Sequence, residues 1–144
     1  MFALLAGIAF PAFAGGGSAP PGIFGLYGER VPLCLVEPLS KSGMKCVGET
    51  ANWVLVSPVP GNRIEVNVNL NFFNGHVCEF RGVGEWVRDH VFIKDESYGE
   101  VPCEMKLYFG SRKVRLSDNF SCKPYTCGVR GGYEGVALPR RGRL

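Results

Sequence analysis

A chain of 144 residues with 46% hydrophobic and 20% charged side chains suits one globular domain and is too apolar for a disordered polymer. The formal charge of +3 is a mild excess, without the dense Lys/Arg stripes of a dedicated nucleic-acid binder.

The first 28 residues carry no charged side chain. Phe2 to Phe10 is an apolar run, and Ala12-Phe13-Ala14 places small residues at the −3 and −1 positions of a cleavage site. That is the anatomy of a signal peptide over residues 1–14, cut before Gly15, although no basic residue stands near Met1. The run falls short of the roughly 20 residues that a membrane span requires, so no transmembrane span is expected. Residues 15–30, rich in Gly, Pro and Ser at their start, read as a flexible leader. A single β domain is then expected over 31–139, followed by a basic tail over 140–144 that carries Arg140, Arg141 and Arg143.

Val31 to Val36 is a short candidate strand, and Pro32 assigns it to an edge because proline donates no ladder hydrogen bond. Asn52 to Val56 reads as a second strand, ended by Pro58 and Pro60. From Arg63 to Phe72 the apolar Ile64, Val66, Val68, Leu70 and Phe72 alternate strictly with polar residues, so one face is buried and the other wet. Asn74-Gly75 then marks a hairpin. A two-residue loop would turn Glu79 and Arg81 into the core, whereas a three-residue loop, Phe73-Asn74-Gly75, pairs Leu70 with Cys78 and Val68 with Phe80. The second register keeps charge in water and is the one expected.

His90 to Lys94 is a further strand. Cys103, Met105, Leu107 and Phe109 alternate with Glu104, Lys106 and Tyr108, and Gly110-Ser111 suits a type II′ turn. That turn pairs Leu107 with Val114 and Met105 with Leu116. It sets Lys106 opposite Arg115 and Tyr108 opposite Lys113 on the wet face. No amphipathic helix with caps and no internal repeat is evident. The fold class is therefore all-β, a small antiparallel barrel or sandwich built from hairpins.

The six cysteines, Cys34, Cys46, Cys78, Cys103, Cys122 and Cys127, all follow the leader. An even number behind an export signal reads as a disulfide framework, and the absence of Cys-x-x-Cys removes redox and zinc-ribbon motifs. Several connectivities remain open. Core-face placement suggests Cys78 with Cys103, and proximity suggests Cys122 with Cys127, which leaves Cys34 with Cys46.

Catalytic signatures are missing. His76 and His90 are the two histidines, and Asp89-His90 is a neighbour pair along a strand rather than a triad assembled in space. Glu79, Glu85 and Asp89 fall on expected wet positions, which suits no acid–base pair. The histidines are far apart and the cysteines committed, so no metal set and no cofactor motif is found. Trp86, beside Gly82 and Gly84, reads as a buried anchor. Two binding surfaces remain. One is the basic, aromatic face of Lys106, Tyr108, Lys113 and Arg115, suited to an anionic glycan or lipopolysaccharide. The other is the glycine-rich segment from Cys127 to Gly135, with Arg130, Tyr133 and Glu134 as its contact residues.

Three stretches taken together, Asn74-Gly75-His76-Val77-Cys78-Glu79-Phe80, Cys103-Glu104-Met105-Lys106-Leu107 and Cys122-x4-Cys127-Gly128-x-Arg130-Gly131, resemble small secreted or periplasmic cysteine-containing bacterial domains of lysozyme-inhibitor-like families. The resemblance spans about Asn52 to Pro139. It implies a small barrel or sandwich that blocks a cell-wall hydrolase by inserting a loop into its cleft. Where inhibitors of c-type lysozyme carry Ser-Gly-x-x-Tyr, this chain has Ser42-Gly43-Met44-Lys45-Cys46, so that family's inhibitory residues do not transfer. The expected protein is thus an exported binder without catalysis, periplasmic or secreted, whose partner is a lysozyme-type hydrolase or an anionic glycan.

Overall fold

A computed structural model of the chain describes residues 17–36 and 43–143; the expected signal peptide lies outside them. Eight strands follow in order: β1 (Gly25–Leu35), β2 (Lys45–Val59), β3 (Arg63–Asn71), β4 (Val77–Val87), β5 (His90–Asp95), β6 (Cys103–Phe109), β7 (Lys113–Ser117) and β8 (Ala137–Arg143). One turn of helix, α1 (Lys123–Thr126), sits between β7 and β8. Each strand pairs antiparallel with the next, and β8 returns to β1, so the sheet closes into an all-β barrel. Closure leaves each strand one inward face. The alternation in β3 becomes geometry: Ile64, Val66, Val68 and Leu70 are buried while Glu65, Asn67, Asn69 and Asn71 stay partly exposed.

The interior is filled by side chains from every strand, among them Val54, Val56, Val66, Leu70, Val91, Ile93, Met105, Leu107, Val114, Leu116 and Leu138. Each such aliphatic side chain contributes roughly 1.5–3 kcal/mol relative to exposure. The first hairpin takes the expected register, with Leu70 opposite Cys78 and Val68 opposite Phe80. Its loop is the three-residue Phe73–Gly75, with Asn74 at φ 58° and Gly75 at φ 68°; the Phe72 amide donates to the His76 carbonyl at 2.8 Å.

The second hairpin departs from expectation. Leu107 pairs with Leu116, Tyr108 with Arg115, and Lys106 with Ser117. The Gly110 amide donates to the Lys113 carbonyl at 2.9 Å, so Ser111-Arg112 occupy the turn centre instead of Gly110-Ser111. The slip moves each partner by two residues and therefore preserves both faces. Hydrophobic alternation detects a one-residue slip and is blind to this one.

Both chain ends of the β domain also change. The leader expected over 15–30 becomes, from Gly25, the strand β1, preceded by a 3-10 turn at Pro21–Ile23. Tyr27 is 1% exposed and its hydroxyl donates to the Ile23 carbonyl at 2.8 Å. The basic tail expected over 140–144 belongs, through residue 143, to the closing strand β8: Tyr27 pairs with Arg140, Leu26 with Gly142 and Gly25 with Arg143. Composition alone reads Gly, Pro and Arg as loop and tail, but strand preference in a barrel comes from neighbours far away in sequence. Beyond Tyr27, β1 runs on with β2 alone as a two-stranded ribbon, and Pro32 lies there, past the last residue that pairs with β8.

Three disulfides, Cys34–Cys46, Cys78–Cys127 and Cys103–Cys122, staple the same end of the barrel. The first is as expected; the other two replace the Cys78–Cys103 and Cys122–Cys127 pairs. Cys78 and Cys103 do face the core, but they begin strands that are not neighbours. Each instead meets the long β7–β8 connection lying across the barrel end. The Cys78–Cys127 and Cys103–Cys122 bridges span 49 and 19 residues. On the chain-entropy account they stabilise by about 4 and about 3 kcal/mol.

β4 bends from one half of the barrel to the other, pairing with β3 at its start and β5 at its end. Glycine makes the bend possible: a Cβ at Gly84 would stand 2.0 Å from the Phe92 carbonyl oxygen and 2.6 Å from Ile93 Cγ1. A backbone atom cannot swing away as a side chain does. Gly84→Ala is therefore expected to destabilise the fold by about 3 kcal/mol, measured by chemical denaturation; an unchanged midpoint would disprove the close approach.

Candidate functional site

Pairing of β5, β6 and β7 assembles one outward face from residues far apart in sequence. His90 stands opposite Tyr108, and Tyr108 opposite Arg115, forming one cross-strand row. Phe92, Lys106 and Ser117 form the next row. Outward side chains on adjacent strands lie about 4.5–5.5 Å apart, close enough for aromatic and long side chains to touch. Here they do. The His90 and Tyr108 rings are 5.1 Å apart at 35°, and the Arg115 guanidinium sits 4.7 Å above the Tyr108 ring. Cation–π attraction of this kind contributes about 0.5–1 kcal/mol at an exposed site.

The row is anchored at its β4–β5 end. Asp89 Oδ1 lies 2.9 Å from His90 Nδ1, and this hydrogen bond holds the Asp89 carboxyl below its ordinary pKa. His90 keeps only 14% of its side chain exposed, so the imidazole is a fixed wall of the platform. The result is an aromatic surface of His90, Tyr108 and Phe92, flanked by the cationic Lys106 and Arg115, with exposed Lys113 beside the turn. In the third row Lys94 stands opposite Glu104 and pairs with Glu96 at 2.8 Å, so positive charge there is balanced.

All four hairpin residues singled out in the sequence share this face, but in a different arrangement. Lys106 does not oppose Arg115, and Tyr108 does not oppose Lys113, which instead faces Pro139 on β8. The like-charge opposition is thereby removed and a cation–aromatic contact takes its place. His90 and Phe92 complete the platform. The local sequence does not mark them as platform residues because their neighbours belong to another hairpin; their wet-face position in β5 is the one available signal.

The glycine-rich segment is built differently from its expected form. Tyr133 is fully buried, edge-on to Phe80 at 6.3 Å, with its hydroxyl 2.7 Å from Thr126 Oγ1. Burial pushes its pKa far up, so it stays a neutral phenol packed in the core. Its glycines permit close packing: a Cβ at Gly131 would meet Cys78 Sγ at 2.6 Å, and one at Gly128 would meet His76 Nδ1 at 2.7 Å. Tyr133 is thus unavailable to a partner. Val129, 84% exposed, and Arg130 protrude at the tip of the segment, and Glu134 and Gly135 are exposed at its end.

Glu134 serves the fold as well. Its carboxylate accepts hydrogen bonds from the Asp118 amide at 2.8 Å, the Asn119 amide at 2.7 Å and the Ser117 hydroxyl at 3.1 Å. These hold a turn in which Asn119 and Phe120 have φ of 45° and 61°. Asp118, 3% exposed, completes that turn by accepting from the Phe120 and Cys122 amides, both at 3.2 Å.

No known family model, curated protein or solved structure matches this chain. Fold and site define it as a closed eight-stranded antiparallel barrel, disulfide-bonded at one end, with a cationic aromatic face on one wall. Among the described residues no helix is long and apolar enough to cross a membrane. The three disulfides fit a compartment outside the reducing cytoplasm.

The two carboxyls of the turn respond to acid in opposite senses. Burial works to raise Glu134, but its amide and hydroxyl donors, with Arg115 nearby, bring its folded pKa below the ordinary 4.5. Its stabilisation is present above that value and lost as pH falls through the lowered one. Burial raises Asp118 above 3.8, against the pull of its amide donors, so the folded state takes up this proton before the unfolded chain does. Glu134→Gln is therefore expected to lose stability less steeply than the parent between about pH 5 and about pH 3, and Asp118→Asn more steeply. Thermal melts across that range check both slopes, and parallel curves for all three proteins would refute the assignment.

Proposed function

We propose that this chain is an exported, non-catalytic binding protein that holds an anionic glycan of the cell envelope on the outer face of β5–β7. The observation that carries the reading is the row His90–Tyr108–Arg115, where two tilted rings in contact end beneath a guanidinium. Sugar rings present apolar C–H faces that lie flat on aromatic side chains. A carboxylate or phosphate on the sugar matches the planar fork of an arginine, and Lys106 and Lys113 add point charges on either side. The face is rigid because it rests on a closed barrel wall, so little ordering cost attends binding. Export is supported by the apolar N-terminal run of the sequence and by the three disulfides.

Binding of an acidic polysaccharide such as lipopolysaccharide core or a uronic-acid polymer, followed by calorimetry, tests the reading. Arg115→Gln is expected to weaken it about tenfold, since a charge-assisted hydrogen bond is lost. Raising salt well above 0.1 M should weaken the parent complex, because exposed charges are screened within about 10 Å at that strength. Affinity that ignores both changes would rule out this face.

A second reading, inhibition of a lysozyme-type cell-wall hydrolase, is favoured by one feature. Val129 and Arg130 project from a segment pinned by the Cys78–Cys127 bridge and by the Gly128 amide donating to the Val77 carbonyl at 2.9 Å. A loop so pre-organised enters a cleft at low entropic cost. On this reading the oxidised protein inhibits one lysozyme class stoichiometrically in a cell-wall lysis assay, and Arg130→Ala weakens inhibition about tenfold. No inhibition at large molar excess across a panel of lysozymes would remove it.

A further inference from the structure

The barrel end opposite the disulfides contains a pocket distinct from the outer face. About 570 Å³ of space opens there between the Pro20–Ile23 segment, the β4–β5 turn and the β6–β7 turn. Three rings on its wall form a connected group: Phe109 lies 5.8 Å from Tyr27 and 6.3 Å from Trp86, each pair tilted. Trp86 and Phe109 are half-buried, so parts of both rings face the opening. A concave site of this size, with aromatic rings and charged groups on its wall and placed at a barrel mouth, is the form in which proteins hold small molecules.

Two arginines and one carboxylate border the space, Arg88, Arg140 and Asp89, so positive charge is in excess even though Asp89, 2.9 Å from His90 Nδ1, also feels the Arg88 charge. Arg140 is fixed in the wall: its guanidinium lies 4.9 Å above the Tyr27 ring and donates to the Tyr27 hydroxyl at 2.5 Å and the Phe24 carbonyl at 3.4 Å. Arg88 supplies an independent sign. It stands at φ 58°, a left-handed conformation that bulky residues rarely adopt and that Gly or Asn would occupy without strain. A cation kept at steric cost on the rim of an aromatic pocket indicates a ligand that needs it.

We infer that this pocket binds a small aromatic carboxylate, with its flat apolar body against Trp86 and Phe109, which Tyr27 backs from the core, and its acid group on Arg88 and Arg140. The aromatic wall accounts for the flat body, and the two arginines account for the anion. The inference is independent of the glycan reading, since it uses neither Tyr108 nor Arg115.

Titration of the full chain with 1-naphthoate and with neutral 1-naphthalenemethanol, followed by calorimetry and tryptophan emission, tests it. Naphthoate is expected to bind one molecule per chain, about tenfold more tightly than the alcohol. Arg88→Asn, which suits the turn conformation and should keep or raise the parent melting temperature, lowers naphthoate affinity about tenfold and leaves the alcohol unaffected. Quenching should survive Trp53→Phe and disappear in Trp86→Phe. Equal affinity for the two compounds, or full naphthoate affinity in Arg88→Asn, overturns the inference. So does quenching lost in Trp53→Phe, which would place the compound in the outer groove beside Leu26 and Leu55.

Discussion

Closure of the barrel depends on a short seam. Only Gly25, Leu26 and Tyr27 of β1 pair with β8, and the register shifts within those three residues. Side chains reinforce what the backbone leaves thin. Arg140 reaches from β8 to the Tyr27 hydroxyl and to the carbonyls of Gly22 and Phe24, while Arg141 Nε donates to the Gly28 carbonyl at 2.7 Å. Burial raises the Tyr27 pKa, although the Arg140 charge pulls the other way, so the phenol is a neutral relay between Ile23 and the guanidinium. Without this seam β1 and β8 would be two open edges, and open edges pair with other chains. Their meeting completes the ring of strands around the core.

The two ends of the barrel are built on different principles. At one end covalent bonds fix the long β7–β8 connection against β4 and β6, and Tyr133 plugs the space beneath it. At the other end aromatic contacts and arginine hydrogen bonds do the holding, and space remains among them. The two connect through Asp89 and His90, where the rim of the open end becomes the start of the outer aromatic row. A stapled end and a filled interior make a stiff support. Both candidate contact regions, the wall and the open mouth, stand on it.

Legibility followed the range of each interaction. The first hairpin was readable because charge on Glu79 and Arg81 penalises the wrong register within a dozen residues. The second was readable only as to its faces, since a two-residue slip leaves Met105, Leu107, Val114 and Leu116 inside in either register. Arg130, Tyr133 and Glu134 carried no local mark that told a contact residue from a structural one. Tyr133 turns inward and Glu134 binds turn amides because β7, Asp118 and Cys78 converge on them, and those partners lie 15 or more residues away.

By itself the sequence determined what period-two patterning and cysteine parity encode: an all-β domain, its inward faces, a disulfide framework and a basic hairpin wall. Tertiary structure decided which strands became neighbours. That choice closed the barrel through β1 and β8, paired Cys78 with Cys127 and Cys103 with Cys122, and brought His90 to Tyr108 and Tyr27 to Phe109 and Arg140. The physical reason is that alternation records whether a side chain faces in or out, while pairing energy depends on a partner strand that the local sequence does not contain.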